Sequence, residues 1–394
     1  MANNSWLQLF PDTFLWVKTN KGLLYNARNK KSYAFDLDKQ IKKWCTQLLD
    51  PDNLYTILTD SDITAKHSEW LGTIEKMQFG RIIQEDNTEH KPVSFPPILY
   101  MDKKINPESP DANDNLLTYL HEIVFYIGGK ETRHPDYYKQ LYYPIFSDQC
   151  LSASEIISYI DKSEGYNLHT LSFIGMECLS LDETKQIINR LSSFEQKKVL
   201  IATTDNLDFY TSLITQNPNA GFRLTIVCNS LYEYMEGVQK AGSLNHVKYI
   251  LLIKDEADLS DTERLPENAI LFPVYTGNNL QFFKENIFMT ENDLQCTDLN
   301  KREIFRNQTL NSNFFGKLII MPDGKVYANS NNPPLGLISD SVYESIFKAM
   351  TENGAWMKTR SQTPCNQCIY QWLCPPPSNY ESVLDRENLC CLEN

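Results

Sequence analysis

Five cysteines stand in the last thirty residues of this 394-residue chain. Cys365, Cys368 and Cys374 follow a C-x2-C-x5-C spacing, and Cys390 and Cys391 come a short stretch later. Two thiolates three residues apart can face one metal from a single turn. A third nearby and a fourth from the end complete a set suited to an iron–sulfur cluster or to tetrahedral zinc. The fourth ligand is Cys390 or Cys391, and loop length favours Cys390. Trp372 and the Pro375, Pro376, Pro377 run would exclude water and hold the following chain extended. A metal here would staple an end with little core of its own. The other five cysteines, Cys45, Cys150, Cys178, Cys228 and Cys296, are scattered and read as core residues.

A second feature is Gly175, Met176 and Glu177, directly after the apolar run 171–174. Arg133 and His134 are polar groups that could share its surroundings, but a solitary loop histidine reads as a surface hydrogen-bonding residue. No Ser/His/Asp or Cys/His set emerges from spacing, so no catalytic residue is assigned. The formal charge of -13 leaves no basic stripe to release counterions, which argues against a nucleic-acid partner. No run of about 18 apolar residues occurs, so no membrane span is expected. The first residues lack a basic region followed by an apolar run, and the isolated cysteines suit a reducing compartment; a cytoplasmic location is expected.

The elements that must position these residues can be read from periodicity. Segments 13–19, 22–27 and 31–36 alternate as strands with tight-turn residues between them. A helix is predicted over 41–49, stopped by Asp50 and Pro51. A second starts at the capping run 59–62 and carries Ile63, Trp70, Leu71, Ile74 and Met77 at helical spacing. Residues 1–90 thus read as a winged-helix-like α+β unit. Residues 91–117, rich in proline, read as a connector with one apolar piece at 98–101. Over 118–299, apolar strands at 122–127, 170–174, 198–203, 223–228, 247–253 and 270–275 alternate with amphipathic helices. That pattern predicts an α/β fold with a parallel sheet covered on both faces, as an open, partial (β/α)6 barrel. A doubly wound sheet is the alternative. Residues 300–394 hold a hairpin over 316–327, turning at Pro322, Asp323 and Gly324, then a helix over 342–350 and the cysteine run.

Several of these segments resemble known families. The amino-terminal unit resembles the RiPP recognition element, which holds the leader of a ribosomally made peptide as an added strand. That likeness implies Tyr33, Phe35, Trp70 and Ile74 as peptide contacts; the alternative is a structural cap. The stretch 171–179 resembles the Phe-x-Gly-Gly-Glu-Pro-Leu segment of radical SAM enzymes, which lines the methionyl part of S-adenosylmethionine. Met176 stands for the second glycine and Cys178 for the proline. The family's Cys-x3-Cys-x2-Cys would fall in 127–138, which contains no cysteine. The likeness therefore implies no productive use of S-adenosylmethionine.

The hairpin, helix and cysteine run resemble the SPASM domain. Cys365, Cys368 and Cys374 match its first three cysteines and Cys390 or Cys391 its last. Ser378 replaces the cysteine between them, and Ala328, Asn329 and Ser330 replace the hairpin cysteines. This implies one retained auxiliary 4Fe-4S site. The whole chain resembles the pseudo-radical-SAM proteins of the GG-Bacteroidales peptide-modification system. The implied function is that of a non-catalytic accessory protein in RiPP modification, binding the precursor peptide, the active maturase, or both. The alternatives are an enzyme with altered, non-radical chemistry in the barrel and a structural zinc-binding module.

Overall fold

The computed structural model describes residues 4–84, 90–97, 115–129, 133–165, 167–260, 269–351 and 354–392. The apolar piece predicted at 98–101 lies outside them. The amino-terminal unit runs β1 (Ser5–Leu9), β2 (Thr13–Lys18), β3 (Lys21–Asn26), β4 (Lys31–Asp36), α1 (Lys39–Leu49), β5 (Thr56–Thr59), α2 (Ser61–Lys66), α3 (Ser68–Lys76) and β6 (Gly80–Gln84). Strands β2, β3 and β4 form the expected meander, with Leu15 opposite Leu24 and Leu24 opposite Tyr33. The second predicted helix is broken at His67 into α2 and α3. A further sheet of order β5-β1-β6 was not visible in the sequence. Its strands are short, and each is defined only by partners far along the chain, as where Leu7 faces both Ile57 and Ile82.

Both faces of the β2-β3-β4 meander are apolar, because alternate side chains of a strand point opposite ways. Leu15, Leu24 and Phe35 pack on Trp44, Leu48, Trp70 and Ile74 of the unit's own helices. Phe14, Trp16, Leu23 and Tyr25 pack instead on Leu294, Ile304, Ile369, Tyr370 and Leu373, near the other end of the chain.

The middle of the chain alternates β7 (Glu122–Tyr126), α4 (Ala153–Ser163), β8 (Thr170–Ile174), α5 (Leu181–Leu191), β9 (Lys197–Thr203), α6 (Leu207–Gln216), β10 (Phe222–Cys228), α7 (Leu231–Ala241), β11 (Val247–Ile253), α8 (Glu256–Ser260) and β12 (Ala269–Pro273). Helices α9 (Leu280–Asn286), α10 (Glu291–Gln295) and α11 (Lys301–Thr309) follow. Next come β13 (Lys317–Ile320), β14 (Lys325–Tyr327), β15 (Gly336–Leu337), α12 (Val342–Thr351) and α13 (Asn379–Val383). Helix starts follow local capping: Ser152 with Glu155 and Ser180 with Glu183 form reciprocal boxes that satisfy the first free amides.

These strands form one nine-stranded, mostly parallel sheet of order β12-β11-β10-β9-β8-β7-β13-β14-β15. Strands β7 to β12 lie in chain order, and β13, which follows β12 in the chain, returns to the far side of β7 and pairs parallel with it. The predicted hairpin becomes β13 and β14, and β13 pairs parallel with β7, Lys317 facing Glu122. The central sheet therefore crosses the boundary expected at residue 300.

On one sheet face, Ile123, Phe125, Leu171, Phe173, Leu200 and Leu224 pack under Ile156, Tyr159, Ile187 and Tyr210 of the helices. On the other, Val124, Tyr126, Ile174, Ile201, Val227 and Leu252 converge on Tyr137, Leu141, Tyr143 and Ile145. The second face is thus covered at its carboxyl end by the chain's own segment after β7, not by helices.

The turn leaving β8 depends on glycine. Gly175 has φ +82°, and a Cβ there would stand 2.0 Å from the Gly128 carbonyl oxygen. Gly175→Ala should cost roughly 2–4 kcal/mol, from left-handed strain plus the backbone clash. Urea unfolding followed by far-UV circular dichroism reads it; a midpoint equal to that of the unaltered protein would refute the coupling between these strand ends.

Candidate functional site

The thiol cluster is assembled from three stretches. The first is anchored by buried Trp356, whose Nε1 donates to the Lys317 carbonyl at 2.8 Å. Cys365 opens a short 3-10 turn, and the Cys368 amide bonds the Cys365 carbonyl at 3.1 Å. The Cys374 amide bonds the Tyr370 carbonyl at 3.0 Å, folding the third thiol back. The proline run is held by Asn311, whose Nδ2 donates to the Pro377 carbonyl at 2.8 Å.

The fourth thiol arrives by an isolated bridge between Met289 and Cys390. The Met289 amide bonds the Leu389 carbonyl, and the Cys391 amide bonds the Met289 carbonyl. In this extended stretch successive side chains point opposite ways. Cys390 joins Cys365, Cys368 and Cys374 around a small apolar cavity of about 20 Å³, with Leu294 and Leu389 in its walls. Cys391 is exposed. Of the two candidates named from sequence, only Cys390 is brought to the cluster.

Burial pushes the Cys365, Cys368 and Cys374 thiols above their ordinary range, Cys374 to about 12, and the neighbouring thiols add to the effect. Two cations work against it. Arg360 stands beside Cys365 and Cys374, and Lys18 of β2 acts on Cys368. Arg360 is buried, paired with Glu381 at 2.6 Å, and its Nη1 approaches Cys365 Sγ at 4.0 Å. Lys18 donates to the Asn366 carbonyl at 2.9 Å. Asn388 Nδ2 donates to Cys390 Sγ at 3.0 Å. Among the described residues no group of three or more His, Cys, Asp or Glu side chains stands in metal-ligating arrangement. The four cysteines line one apolar cavity, with Arg360, Lys18 and the Asn388 amide beside their sulfurs, a chemistry that suits thiolate ligation. No signal in the sequence marked Arg360, Lys18 or Asn388.

At the carboxyl end of β8, Glu177 accepts hydrogen bonds from Asn206 Nδ2 at 2.7 Å and from the Tyr210 hydroxyl at 2.8 Å. The same hydroxyl accepts from the Gly175 and Met176 amides, each at 3.1 Å. Burial, then Glu177, drive the Tyr210 phenol far above its usual range, so it stays a donor. The carboxylate and amides of this loop are therefore engaged with the protein itself. Arg133 bridges Asp205 and Glu233, and His134 stacks on Tyr137 with ring centres 4.3 Å apart. Both border a polar cavity beside Lys254 and Asp255.

The reading of the scattered cysteines as core needs correction. Cys45 and Cys228 are buried, but Cys178 is half-buried and Cys150 and Cys296 are exposed. Cys150 and Cys178 meet beside Gly128, where a Cβ would lie within 3.4 Å of both sulfurs.

The suggested peptide contacts also fall differently. Phe35, Trp70 and Ile74 are buried in the core of the amino-terminal unit, with the Phe35 and Trp70 rings 5.4 Å apart. They are large apolar residues on the inward faces of β4 and α3, and folding covers them. Tyr33 is half-buried, stacks on Phe35 and hydrogen-bonds Thr73 of α3. It lies on β4, an edge strand whose outer side receives no backbone hydrogen bond among the described residues.

No protein-family profile and no curated protein matches the chain. Among solved structures, it is similar to Streptococcus suis SuiB bound to precursor peptide SuiA, at 10% identity and a TM-score of 0.40, covering 98% of this chain and 100% of that one. SuiB bound to S-adenosylmethionine gives 12% and 0.37, covering 98% and 99%. A further crystal structure of SuiB gives 11% and 0.39, covering 98% and 100%. No helix among the described residues is long and apolar enough to cross a membrane.

Thiol alkylation tests the cluster. In metal-free protein at mildly alkaline pH, Cys391 and Cys296 should label first, and Cys374 should be the slowest of the four thiols around the cavity, because burial keeps it protonated. Rapid labelling of Cys374 in folded protein would show the site is not closed.

Proposed function

We propose that this protein is a non-catalytic accessory factor in the modification of a ribosomally synthesised peptide. It would bind the precursor, the active maturase, or both, in the cytoplasm. In this reading the six parallel strands are a degenerate radical-SAM-type partial (β/α)6 barrel. Residues 1–90 are a winged-helix-like recognition element, 91–117 its connector and 300–394 a SPASM-like end. The observation that carries it is the packing of Tyr137, Leu141, Tyr143 and Ile145 against Val124, Ile174 and Val227. Those side chains occupy the carboxyl end of the inner face, where barrels of this kind place their chemistry. The engaged Glu177 supports the same reading.

The four thiols of Cys365, Cys368, Cys374 and Cys390 would hold one 4Fe-4S cluster, which in this position supplies structure to the carboxyl end. Arg360 and Lys18 would offset its negative charge, and the apolar walls would keep water from the sulfurs. Zinc is the second reading. The cavity between the sulfurs, about 20 Å³, has room for roughly one water-sized body, which suits a single ion.

Four measurements test this function. Anaerobically reconstituted protein, given a strong reductant and S-adenosylmethionine, should release no 5′-deoxyadenosine above a blank; clear release sinks the non-catalytic reading. Metal analysis should find iron with a broad visible absorption, and zinc alone would replace the cluster reading. Cys365→Ala with Cys368→Ala should then remove the metal and expose residues beyond about 355 to protease, with sheet secondary structure retained. Addition of the precursor leader to the full chain should slow amide exchange across β4, as an added strand does. Slowing elsewhere with β4 unchanged would assign residues 1–90 as a structural cap.

A further inference from the structure

The inner face of the parallel sheet is divided along its length. Toward its carboxyl end the face is packed by the segment after β7, and the polar cavity bordered by Arg133 and His134 lies beyond that packing. The amino end of the face opens into a cavity of about 610 Å³. Strand register places Lys317, Glu122, Thr170 and Lys197 in one row across β13, β7, β8 and β9. The stagger of the next strands sets Arg223 beside Val199 and Lys248 beside Thr225. All of these line the cavity.

The charge there is one-sided. Lys197, Arg223 and Lys248 are exposed and Lys317 is half-exposed. None of the four makes an ion pair or side-chain hydrogen bond among the described residues. Glu122, the one carboxylate in the lining, accepts from Ser172 Oγ at 3.1 Å and also bonds the Tyr142 hydroxyl. A protein of net charge -13 thus keeps four unpaired cations around one opening. Beneath them Val199, Ile201, Ile250, Phe272 and Ile319 form an apolar floor.

We propose that this amino-terminal mouth is a binding site for an acidic peptide segment in extended conformation. Its carboxylates would meet the cations of the rim, and an apolar side chain would enter the cavity. This deepens the peptide-binding reading above and rests on it. Spacing separates a peptide from a single anion. Lys197, Arg223 and Lys248 stand on three neighbouring strands, each two residues further along than the last, a spread of roughly 16 Å at some 4.8 Å per strand and 3.3 Å per residue. No single phosphate or carboxylate reaches all three, whereas alternate residues of an extended chain lie about 6.5–7 Å apart. The rim cations are not interleaved with exposed aromatic planes, which a single-stranded nucleic-acid groove uses for stacking.

The test uses the full chain and a fluorescein-labelled synthetic peptide of alternating Glu and Leu, read by fluorescence anisotropy at low salt. The peptide should bind. Its Gln counterpart should bind about tenfold more weakly or worse. The combined variant Lys197→Gln, Arg223→Gln, Lys248→Gln should lose affinity for the acidic peptide by a similar factor, since each exposed pair contributes modestly. These side chains are at the surface, so its melting temperature should match the unaltered protein. Equal affinity of the variant for the acidic peptide overturns the site. So does displacement of the peptide by inorganic phosphate, which marks a single-anion pocket, or by oligothymidylate as readily as by unlabelled peptide. Leader-induced slowing of exchange at β4 reports separately on the peptide-binding reading: if it persists while the rim variant binds unchanged, only this site fails.

Discussion

The small β2-β3-β4 sheet buries both of its faces, and the arrangement of the two chain ends depends on that. Its inner side chains complete the amino-terminal core. Its outer ones, Phe14, Trp16, Leu23 and Tyr25, are the floor on which the cysteine-bearing end is laid. Each such aromatic or leucine contributes on the order of 1.5–3 kcal/mol by leaving water. Polar contacts then set the register of the two ends. The Tyr25 hydroxyl accepts from the Leu299 amide at 2.8 Å and donates to the Leu299 carbonyl at 2.7 Å, and Lys18 reaches the Asn366 carbonyl. The first sheet and the thiol cluster are thus one packed unit, although nearly the whole chain separates them.

Within that unit, Arg360 is the costly member. Its guanidinium and the Glu381 carboxylate are both almost wholly buried, and taking two charges from water is repaid only when hydrogen bonds complete the geometry. Here Nε donates to the Pro375 carbonyl, and Glu381 caps α13 through Ser378. The pair ties the proline run, the last helix and the thiols together. A buried cation also lowers the cost of placing several thiolates in an apolar interior.

The central sheet divides its inner face into two chemistries. Near the carboxyl ends Tyr126, Ile174 and Leu252 meet the returning segment with Tyr137 and Tyr143. At the amino ends β9, β10 and β11 present Lys197, Arg223 and Lys248 to an open cavity. Alternation along each strand puts both sets on one face; only the level differs. The inner face is thus packed with apolar side chains toward one end and lined with cations at the other.

The sequence by itself determined the local elements. The meander, the alternating strands and helices and the hairpin at Pro322 and Gly324 follow from period-two and helical patterns and from turn residues, which act within a few positions. The convergence of Cys365, Cys368 and Cys374 was legible for the same reason, since their spacing is local. What tertiary structure decided lies at long range. Strands β1, β5 and β6 are too short to declare themselves and exist through mutual pairing. Cys390 rather than Cys391 joins the thiols because a bridge to Met289 sets which side chain points inward. Phe35, Trp70 and Ile74 are core rather than groove, because an apolar residue at helical or strand spacing looks alike whether a peptide or its own fold covers it. The cationic mouth was hidden in an acidic composition, because net charge sums over the chain while register alone places Lys197, Arg223, Lys248 and Lys317 around one opening.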